Sequence, residues 1–321
     1  MENKEATQYI ENINIKGLWG RYDVDWQLHA DVNVLVGENG TGKSTILEAV
    51  KNLFEITEKV SKDLKVSDYF NAAIFSKIIV YFKNGKEKYD FTLENEGNLG
   101  RDITYDSNNS NGFSYNIEHQ SINSYLKNKA LELLKTYNIY HIKTFDKAIK
   151  NGTDDYKTNL DIELNRLEKE YLAYKLKTFK AGLKDKKALD THQYFLETVN
   201  RLFKSTGKAL DEDDEKISFL FEDGASIHWL ALSSGEKQLL IILLTVLCQD
   251  EKPSILLMDE PELSLHITWQ YELINIIRQL NPNCQVIIAT HSTSIFTKGW
   301  MNKLFFMDGV EGIRHKIAQP V

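Results

Sequence analysis

The chain has 321 residues, 42% of them hydrophobic and 26% charged, which is the composition of a folded globular protein and excludes a disordered or fibrous one. Its formal net charge of −7 argues against binding nucleic acid through overall positive charge. No stretch approaches the roughly 18 uninterrupted apolar residues of a membrane span, and the N-terminus lacks a signal-peptide pattern, so we expect a cytoplasmic protein without direct membrane insertion.

The first predicted elements are a strand around Ile13, a turn at Gly17 to Gly20 and a buried strand, Val32–Val36. The nine residues Gly37-Glu-Asn-Gly-Thr-Gly-Lys-Ser-Thr45 follow, and a helix begins directly after them. They fill every fixed position of the phosphate-loop pattern, in the required place between a strand and a helix. The sequence therefore predicts that a nucleoside triphosphate binds here.

The chemistry of phosphate binding predicts a role for each residue of the phosphate loop. Glycines let the backbone curl so that N–H groups face the phosphates, and the following helix presents its positive end to them. Lys43 is expected to reach the β- and γ-phosphate oxygens, and the hydroxyl of Ser44 to hold Mg²⁺. The predicted nucleotide-binding set is Gly37, Asn39, Gly40, Gly42, Lys43, Ser44 and Thr45.

The middle of the chain predicts a hairpin, a loop and an insert. Residues 74–94 alternate around Asn84-Gly85, which predicts an antiparallel β-hairpin with its turn at that pair. Asn95–Asn116 is rich in Asn, Ser, Gly and Asp and predicts a loop. Residues 120–210 predict an inserted, mainly helical lobe, with the elements Ile122–Lys135 (helix), Tyr137–Ile142 (strand), Tyr156–Phe179 (helix) and Ala188–Phe203 (helix).

A cluster of six lysines lies in the insert against a single acid, Asp185. Its members are Lys175, Lys177, Lys180, Lys184, Lys186 and Lys187. Two readings stay open, a solvated lysine face on a helix and a contact with the backbone of DNA or RNA.

Three motifs follow in the last third of the chain. Leu232-Ser-Ser-Gly-Glu236 precedes a long apolar helix, and the strand Ile255–Met258 runs into Asp259-Glu-Pro-Glu-Leu-Ser264. The strand Gln285–Ala289 then delivers Thr290-His-Ser292. With the phosphate loop, this order of motifs resembles the ABC-type ATPases, and specifically their SMC/RecF-like branch. The two ends of the chain also resemble the compact ATPases of bacterial anti-phage systems, Septu-type or retron-associated.

The resemblance implies an α/β fold, the ABC-type ATPase head, in which a P-loop NTPase core carries a flanking antiparallel β-sheet and an inserted helical lobe. We expect residues 1–321 to form one such domain, with residues 1–55 and 217–321 as the nucleotide-binding core. In SMC-type proteins the insertion point holds long coiled coils. Here the insert is too short for a long arm, because a helix rises only about 1.5 Å per residue.

The resemblance also implies roles for the later motifs. Asp259 is expected to orient Mg²⁺ through water, Glu260 to act as general base toward the attacking water, and His291 to sense the γ-phosphate, with Lys43 completing the catalytic set. Two adjacent acids at a strand end diverge, which lets one serve the metal and the other the nucleophile.

The signature residues Ser233, Ser234 and Gly235 begin a helix and face an anion. In the implied head-to-head homodimer, or a higher even-numbered assembly, they contact ATP held by Lys43 of the other subunit, and Ser264 lies near the dimer axis. The sequence departs from the commonest signature at Ser234 and Glu236.

Two parts of the site are less defined. A group that contacts the base is expected from the N-terminal turn, where Trp19, Arg21 and Tyr22 are available, and we favour Arg21. The glutamine that normally follows the antiparallel sheet is not identifiable, since Gln120 and the stretch 140–144 are both weak candidates.

The leading functional hypothesis is an ATPase, using ATP and Mg²⁺, that controls a separate effector such as a nuclease in phage defence or nucleic-acid metabolism. About 30 residues follow His291 and the insert shows no nuclease constellation, so we expect the effector to be another polypeptide. The alternatives are the ATP-binding subunit of a membrane transporter and a slowly hydrolysing ATP-dependent scaffold or clamp.

Overall fold

The computed structural model describes residues 8–61, 75–85, 87–94, 113–116, 138–143, 158–214, 216–307 and 313–315. The predicted helix Ile122–Lys135, Gln120 and most of the predicted loop Asn95–Asn116 lie outside these residues.

A five-stranded parallel sheet forms the centre of the molecule. Its strands, in spatial order, are β13 (Leu304–Phe306), β3 (Val32–Val36), β12 (Cys284–Ala289), β11 (Ser254–Asp259) and β7 (Asn138–Lys143). The three middle strands are buried at every position, as continuous apolar runs in a parallel sheet require. The register pairs Asp259 with Ala289 and Ala289 with Leu35, so these three strands end at one level.

A second, mostly antiparallel sheet contains six strands. In spatial order they are β14 (Ile313–His315), β2 (Tyr22–Gln27), β1 (Gln8–Leu18), β4 (Lys77–Asn84), β5 (Glu87–Glu94) and β6 (Phe113–Asn116). The predicted hairpin is present as β4 and β5, but its turn is displaced by one residue. Asn84 still pairs with Glu87, and Gly85, with φ 61°, follows it in the turn.

Three of these strands, β2, β6 and β14, were not predicted from the sequence. The loop prediction for Asn95–Asn116 is wrong at its last four residues, which pair in parallel with β5 as β6. β2 follows the turn after Leu18 and alternates between buried and less buried positions. All three are short strands whose pairing partner, rather than their own composition, makes them strands.

The inserted segment contributes to the core of the molecule. The helices α1 (Lys43–Ser61), α2 (Asn159–Ala181) and α3 (Lys186–Phe203) precede α4 (Ser234–Cys248), which is buried along most of its length. Leu164 and Leu167 of α2 and Phe195 of α3 share one hydrophobic cluster with α4 and the central sheet. Two of the three predicted helices of the insert are therefore present, as α2 and α3, but they pack against the core, and β7 belongs to the central sheet.

The remaining elements are short. A three-stranded antiparallel sheet contains β10 (Ser226–His228), β9 (Ser218–Phe221) and β8 (Lys208–Leu210). The helices α5 (Ile267–Gln270), α6 (Leu273–Leu280) and α7 (Thr293–Phe296) flank β12 along the chain. Within the described part of the chain, no helix combines the length and the apolarity that crossing a membrane requires.

A buried histidine between α2 and α3 predicts a pH-dependent stability. His192 is 6% exposed, its Nε2 lies 3.0 Å from Tyr171 Oη, and burial, with Lys175 nearby, lowers its pKa from 6.5 to about 4. Between pH 6.5 and about pH 4, His192 is therefore protonated in the unfolded chain but neutral in the folded chain. We expect the free energy of unfolding to fall as the pH drops from 6.5 to 4, with an upper limit of about 3 kcal/mol from this side chain.

Urea unfolding at pH 7, 6 and 5 measures this effect. His192→Gln keeps a hydrogen-bonding side chain beside Tyr171 but does not titrate, so its stability should fall less steeply with decreasing pH. His141, whose pKa burial also lowers to about 4, is common to both proteins and cancels in the difference. Parallel pH profiles for the two proteins would rule out His192 as the source.

Candidate functional site

The phosphate loop lies at the carboxyl edge of the central sheet, between β3 and α1. Gly40 and Gly42 have φ of 80° and 102°, a region in which side chains are strained. A Cβ at Gly42 would also lie 3.0 Å from the Trp19 ring, so glycine is required there for two reasons. A cleft of about 580 Å³ opens beside the loop and is lined by Trp19, Asn39, Gly40, Gly42, Lys43, Ser44, Thr45, Glu260, Glu262, Leu263, His291 and Ser292.

Hydrogen bonds to the phosphate-loop backbone hold the Lys43 side chain in place. Its side chain is 4% exposed, and Nζ donates hydrogen bonds to the carbonyl oxygens of Gly37 and Glu38 at 2.9 and 3.1 Å. Nζ also lies 2.6 Å from His291 Nε2 and 3.9 Å from Glu260 Oε1. The three predicted catalytic side chains are therefore neighbours, although Lys43 lies more than 200 residues before Glu260 and His291 in the sequence.

Ser44 and Asp259 form the predicted metal-binding pair. Ser44 Oγ donates a hydrogen bond to Asp259 Oδ1 at 2.9 Å. Burial raises the pKa of Asp259, while this hydrogen bond and nearby lysines act in the opposite direction. Hydroxyl and carboxylate oxygens suit Mg²⁺, which typically takes few protein ligands and completes its shell with phosphates and water. The described residues contain no cluster of three or more His, Cys, Asp or Glu that could hold a metal by themselves.

Glu260 has a strained backbone and a strongly shifted carboxyl group. Its φ and ψ are 49° and 51°, in the left-handed region, and its N–H donates to the Ala289 carbonyl at 2.8 Å. Burial, and then the carboxylate of Glu262, raise its pKa to about 8, against the opposing effect of Lys43. Glu260 Oε1 lies 3.2 Å from His291 Nε2.

The signature residues lie elsewhere. Ser233, Ser234 and Gly235 do not line the phosphate-loop cleft of their own chain. Ser233 caps α4, and its hydroxyl donates to Glu236 Oε2 at 2.8 Å. Burial disfavours the charge on Glu236, but hydrogen bonds from Lys208, Ser233 and Thr206 lower its pKa. Glu236 is one of the two positions at which the chain differs from the commonest signature. Its hydrogen bonds connect the first turn of α4 to Lys208 of β8 and to Thr206.

The N-terminal turn presents a different residue from the one we favoured. Arg21 is exposed and is not among the residues that line the cleft, whereas Trp19 lines it and lies against Gly42. Trp19 also has a positive φ of 50°. Its sequence signal, an aromatic residue between two turn glycines, was available but did not separate it from Arg21.

Sequence reasoning also missed cleft residues that have no fixed place in the phosphate-loop pattern. Glu262, Leu263 and Ser292 line the cleft beside the predicted set. The sequence placed Glu262 and Leu263 in the acidic motif and Ser292 after the histidine, but their side-chain contacts depend on how two loops pack. The glutamine of the antiparallel-sheet junction stays unassigned.

Residues 32–297 match the protein family described as "AAA domain, putative AbiEii toxin, Type IV TA system". Septu protein PtuA of Bacillus thuringiensis is 24% identical, over 92% of this chain and 74% of PtuA. The Retron Ec83 probable ATPase of Escherichia coli is 25% identical, over 85% of this chain and 66% of that protein. The chain thus spans about three quarters and two thirds of the lengths of these two relatives. The phosphate import ATP-binding protein PstB of Malacoplasma penetrans is 26% identical, over 82% of this chain and 90% of PstB.

Among solved structures, the Smc head domain derived from Pyrococcus furiosus, with an extended coiled coil and bound to the C-terminal domain of ScpA, has a TM-score of 0.51. It is 14% identical, over 91% of this chain and 92% of that chain, so the likeness concerns the fold alone. It agrees with the α/β head fold, with its parallel and antiparallel sheets, that the motifs imply. The chain belongs to the AAA-domain family that it matches, and within it is an ABC/SMC-like ATPase related to those of bacterial anti-phage systems.

Proposed function

We propose that this chain binds ATP with Mg²⁺ in the phosphate-loop cleft and hydrolyses it. The observation that carries the proposal is the meeting of Lys43, Glu260 and His291 within 4 Å of one another, next to the Ser44–Asp259 pair. The sheet register supports it, because β3, β11 and β12 end at one level. The segments that follow these strands, which contain Lys43, Glu260 and His291, therefore begin at the same edge of the sheet.

Each residue has a distinct task in this proposal. The backbone of the phosphate loop and Lys43 hold the phosphates, and Ser44 with Asp259 holds Mg²⁺, which when bound neutralises charge on the phosphate oxygens. Glu260 accepts the proton of the attacking water once its carboxyl group is ionised. His291, 3.2 Å from that carboxyl group, donates or accepts a hydrogen bond at the γ-phosphate position. Trp19 replaces Arg21 as the side chain proposed to contact the base.

We further propose that two copies bind ATP between them. The signature residues do not line the cleft of their own chain, so a second subunit is needed to bring Ser233, Ser234 and Gly235 to the phosphates. Apolar side chains are exposed near the expected dimer face, including Leu263 at 59% and Ile267 at 46%. ATP would then tighten the dimer until hydrolysis releases it, which is ligand-linked association.

The dimer is proposed to control a separate effector, such as a nuclease, in phage defence. The similarity to Septu protein PtuA and to a retron ATPase supports that setting. The similarity to PstB keeps a transporter subunit as the second candidate. The two candidates share the ATP site and differ in the partner, so the partner decides between them.

Affinity purification of the Glu260→Gln chain from its host in Mg-ATP tests effector control. Mass spectrometry should find a second soluble chain in stoichiometric amount, and Lys43→Ala is the matched control that should lose it. Recovery of a membrane permease would replace effector control with the transporter function. Recovery of the chain by itself from both variants would leave an ATP-dependent clamp.

The lysine cluster offers less positive charge than its sequence suggests. Lys177 pairs with Asp250 and Lys187 with Glu251, while Lys175 donates to the carbonyl oxygens of Glu212 and Asp214. The other three members, Lys180, Lys184 and Lys186, are exposed. We propose these three as the members of the cluster that contact DNA or RNA phosphates.

Charge reversal at Lys180, Lys184 and Lys186 tests this contact. If all three bind phosphates, the triple Glu variant should bind duplex DNA or RNA more weakly, and the slope of log affinity against log salt should become shallower by about 2 to 3. Fluorescence anisotropy at several salt concentrations measures both. Unchanged affinity across salt would leave the cluster as a solvated helix face.

A further inference from the structure

Glu262 lies between the two loops that flank the reacting end of the cleft. It belongs to the 3-10 helix Pro261–Ser264, which follows Glu260 and contains Ser264. The other loop, Thr290 to Ser292, follows β12 and contains His291. The two loops are about 30 positions apart in sequence, so any link between them is tertiary.

One oxygen of Glu262 accepts three hydrogen bonds from the second loop. Oε1 accepts from Thr290 Oγ1 at 2.6 Å, from the His291 N–H at 2.8 Å and from the Ser292 N–H at 3.1 Å. Oε1 is the shared acceptor for one side-chain hydroxyl and two consecutive backbone N–H groups. The backbone that carries His291 is therefore held at the residue itself and on both sides of it.

A second side chain closes the same connection. Gln270 donates through Nε2 to the carbonyl oxygens of Glu262 and Leu265, at 3.3 and 2.9 Å. Its Oε1 accepts from Ser292 Oγ at 2.7 Å. Gln270 is buried, and together with Glu262 it makes the two loops one hydrogen-bonded unit.

The unit also touches the signature. The Ser264 carbonyl oxygen lies so close to Gly235 that a Cβ added there would be 2.3 Å away. The segment Pro261–Ser264 thus contacts α4 on one side and holds His291 on the other. If a second subunit displaced this segment, the hydrogen bonds of Glu262 would displace the backbone of His291 with it.

We propose that Glu262 is a positioning residue that ties the Ser264 segment to His291, so that subunit contact at Ser264 sets the position of His291 beside Glu260. The inference rests on the proposed ATPase function and assigns a role to a residue outside the predicted site. Glu262 acts through the backbone of His291, because its hydrogen bonds make the two loops one unit that is displaced together.

The test compares Glu262→Ala, Glu262→Gln, His291→Ala and the double variant Glu262→Ala/His291→Ala. Glu262→Ala leaves three donors without their acceptor and should lower kcat for ATP about 10- to 100-fold, since misplacement by about 1 Å costs that much. KM should change less than about twofold, because the phosphate loop is untouched. Glu262→Gln retains an acceptor oxygen and should recover most of kcat. If Glu262 acts through His291, the double variant should be no worse than His291→Ala by itself.

Hydrogen exchange gives a readout that does not need turnover. The amides of His291 and Ser292 should exchange faster in Glu262→Ala than in the wild-type chain, with little change in the phosphate loop. Should Glu262→Ala fail to fold, Thr290→Val removes one of the three donors at nearly the same volume and should give a smaller loss of kcat and protection.

The outcomes separate the inference from the ATPase function. Wild-type kcat in Glu262→Ala, or losses for Glu262→Ala and His291→Ala that multiply in the double variant, would overturn the inference while leaving the ATPase function intact. A wild-type chain without turnover would overturn the ATPase function. In that case the inference is decided by exchange, and protection at His291 and Ser292 that survives Glu262→Ala overturns it.

Discussion

We expect Lys43→Ala to abolish ATP binding, and Glu260→Gln to bind ATP normally, to hydrolyse it about 10²- to 10⁴-fold more slowly and to accumulate as an ATP-bound dimer. The two results differ because the two side chains act at different stages. Lys43 is buried in the loop that holds the phosphates, and its removal takes away the charge that offsets them. Glu260 lies at the reacting end, so Gln keeps the shape of the site and removes the base.

Equilibrium binding of a fluorescent ATP analogue, phosphate release and multi-angle light scattering with and without Mg-ATP measure these effects. Lys51→Ala is a matched control, because Lys51 is another lysine of α1 and pairs with Glu55 away from the cleft. It should behave as wild type in all three assays. A Glu260→Gln chain that stays monomeric in Mg-ATP would reject the sandwich dimer, and undiminished turnover would reject Glu260 as the base.

We expect Gly235→Ala to weaken ATP-dependent dimerisation at least about tenfold and to destabilise the fold by about 1 to 3 kcal/mol. In an ordinary helical turn this substitution stabilises by roughly 0.5 to 1 kcal/mol. Here the added Cβ would lie 2.3 Å from the Ser264 carbonyl oxygen, which is backbone and cannot rotate away. The sign therefore reverses, and the signature turn must separate from the Ser264 segment, both of which belong to the proposed dimer face.

Urea unfolding and light scattering of the Glu260→Gln chain, with and without Gly235→Ala, measure the two effects. Ser234→Ala is the folding control, since it changes an exposed side chain of the same turn without adding an atom to it. Its stability should stay within about 0.5 kcal/mol of the parent. A Gly235→Ala chain that is as stable as the parent would show that the Ser264 segment moves aside at no cost.

Sequence patterns predicted the structure best where a binding motif requires a particular order of secondary-structure elements. A strand, a glycine loop and a helix must follow one another to bind phosphate, so Val32–Val36 and the start of α1 could be placed from the sequence. The apolar runs of β11 and β12 likewise predicted buried strands ending at Asp259 and just before Thr290. The insert helices α2 and α3 were recognised by their periodicity.

Contacts between distant segments could not be predicted in this way. No local pattern says that β7 pairs with β11 or that α2 and α3 pack on α4, because pairing and burial depend on partners far along the chain. The same limit applied at the N-terminal turn. Trp19 and Arg21 are two residues apart, and only the packing of the turn on Gly42 brings the ring to the cleft.

The sequence by itself identified the candidate residues for binding phosphate and metal, and the order of the strands that carry them, because those requirements are local and chemical. The tertiary structure decided which side chains act together. In the sequence, nothing distinguishes Glu262 from any other acidic residue in a loop. In the structure, its Oε1 accepts three hydrogen bonds from a segment about 30 residues away. Hydrogen bonds have a range of about 3 Å, so such a link exists only once the folded chain has brought both loops to one edge of the sheet.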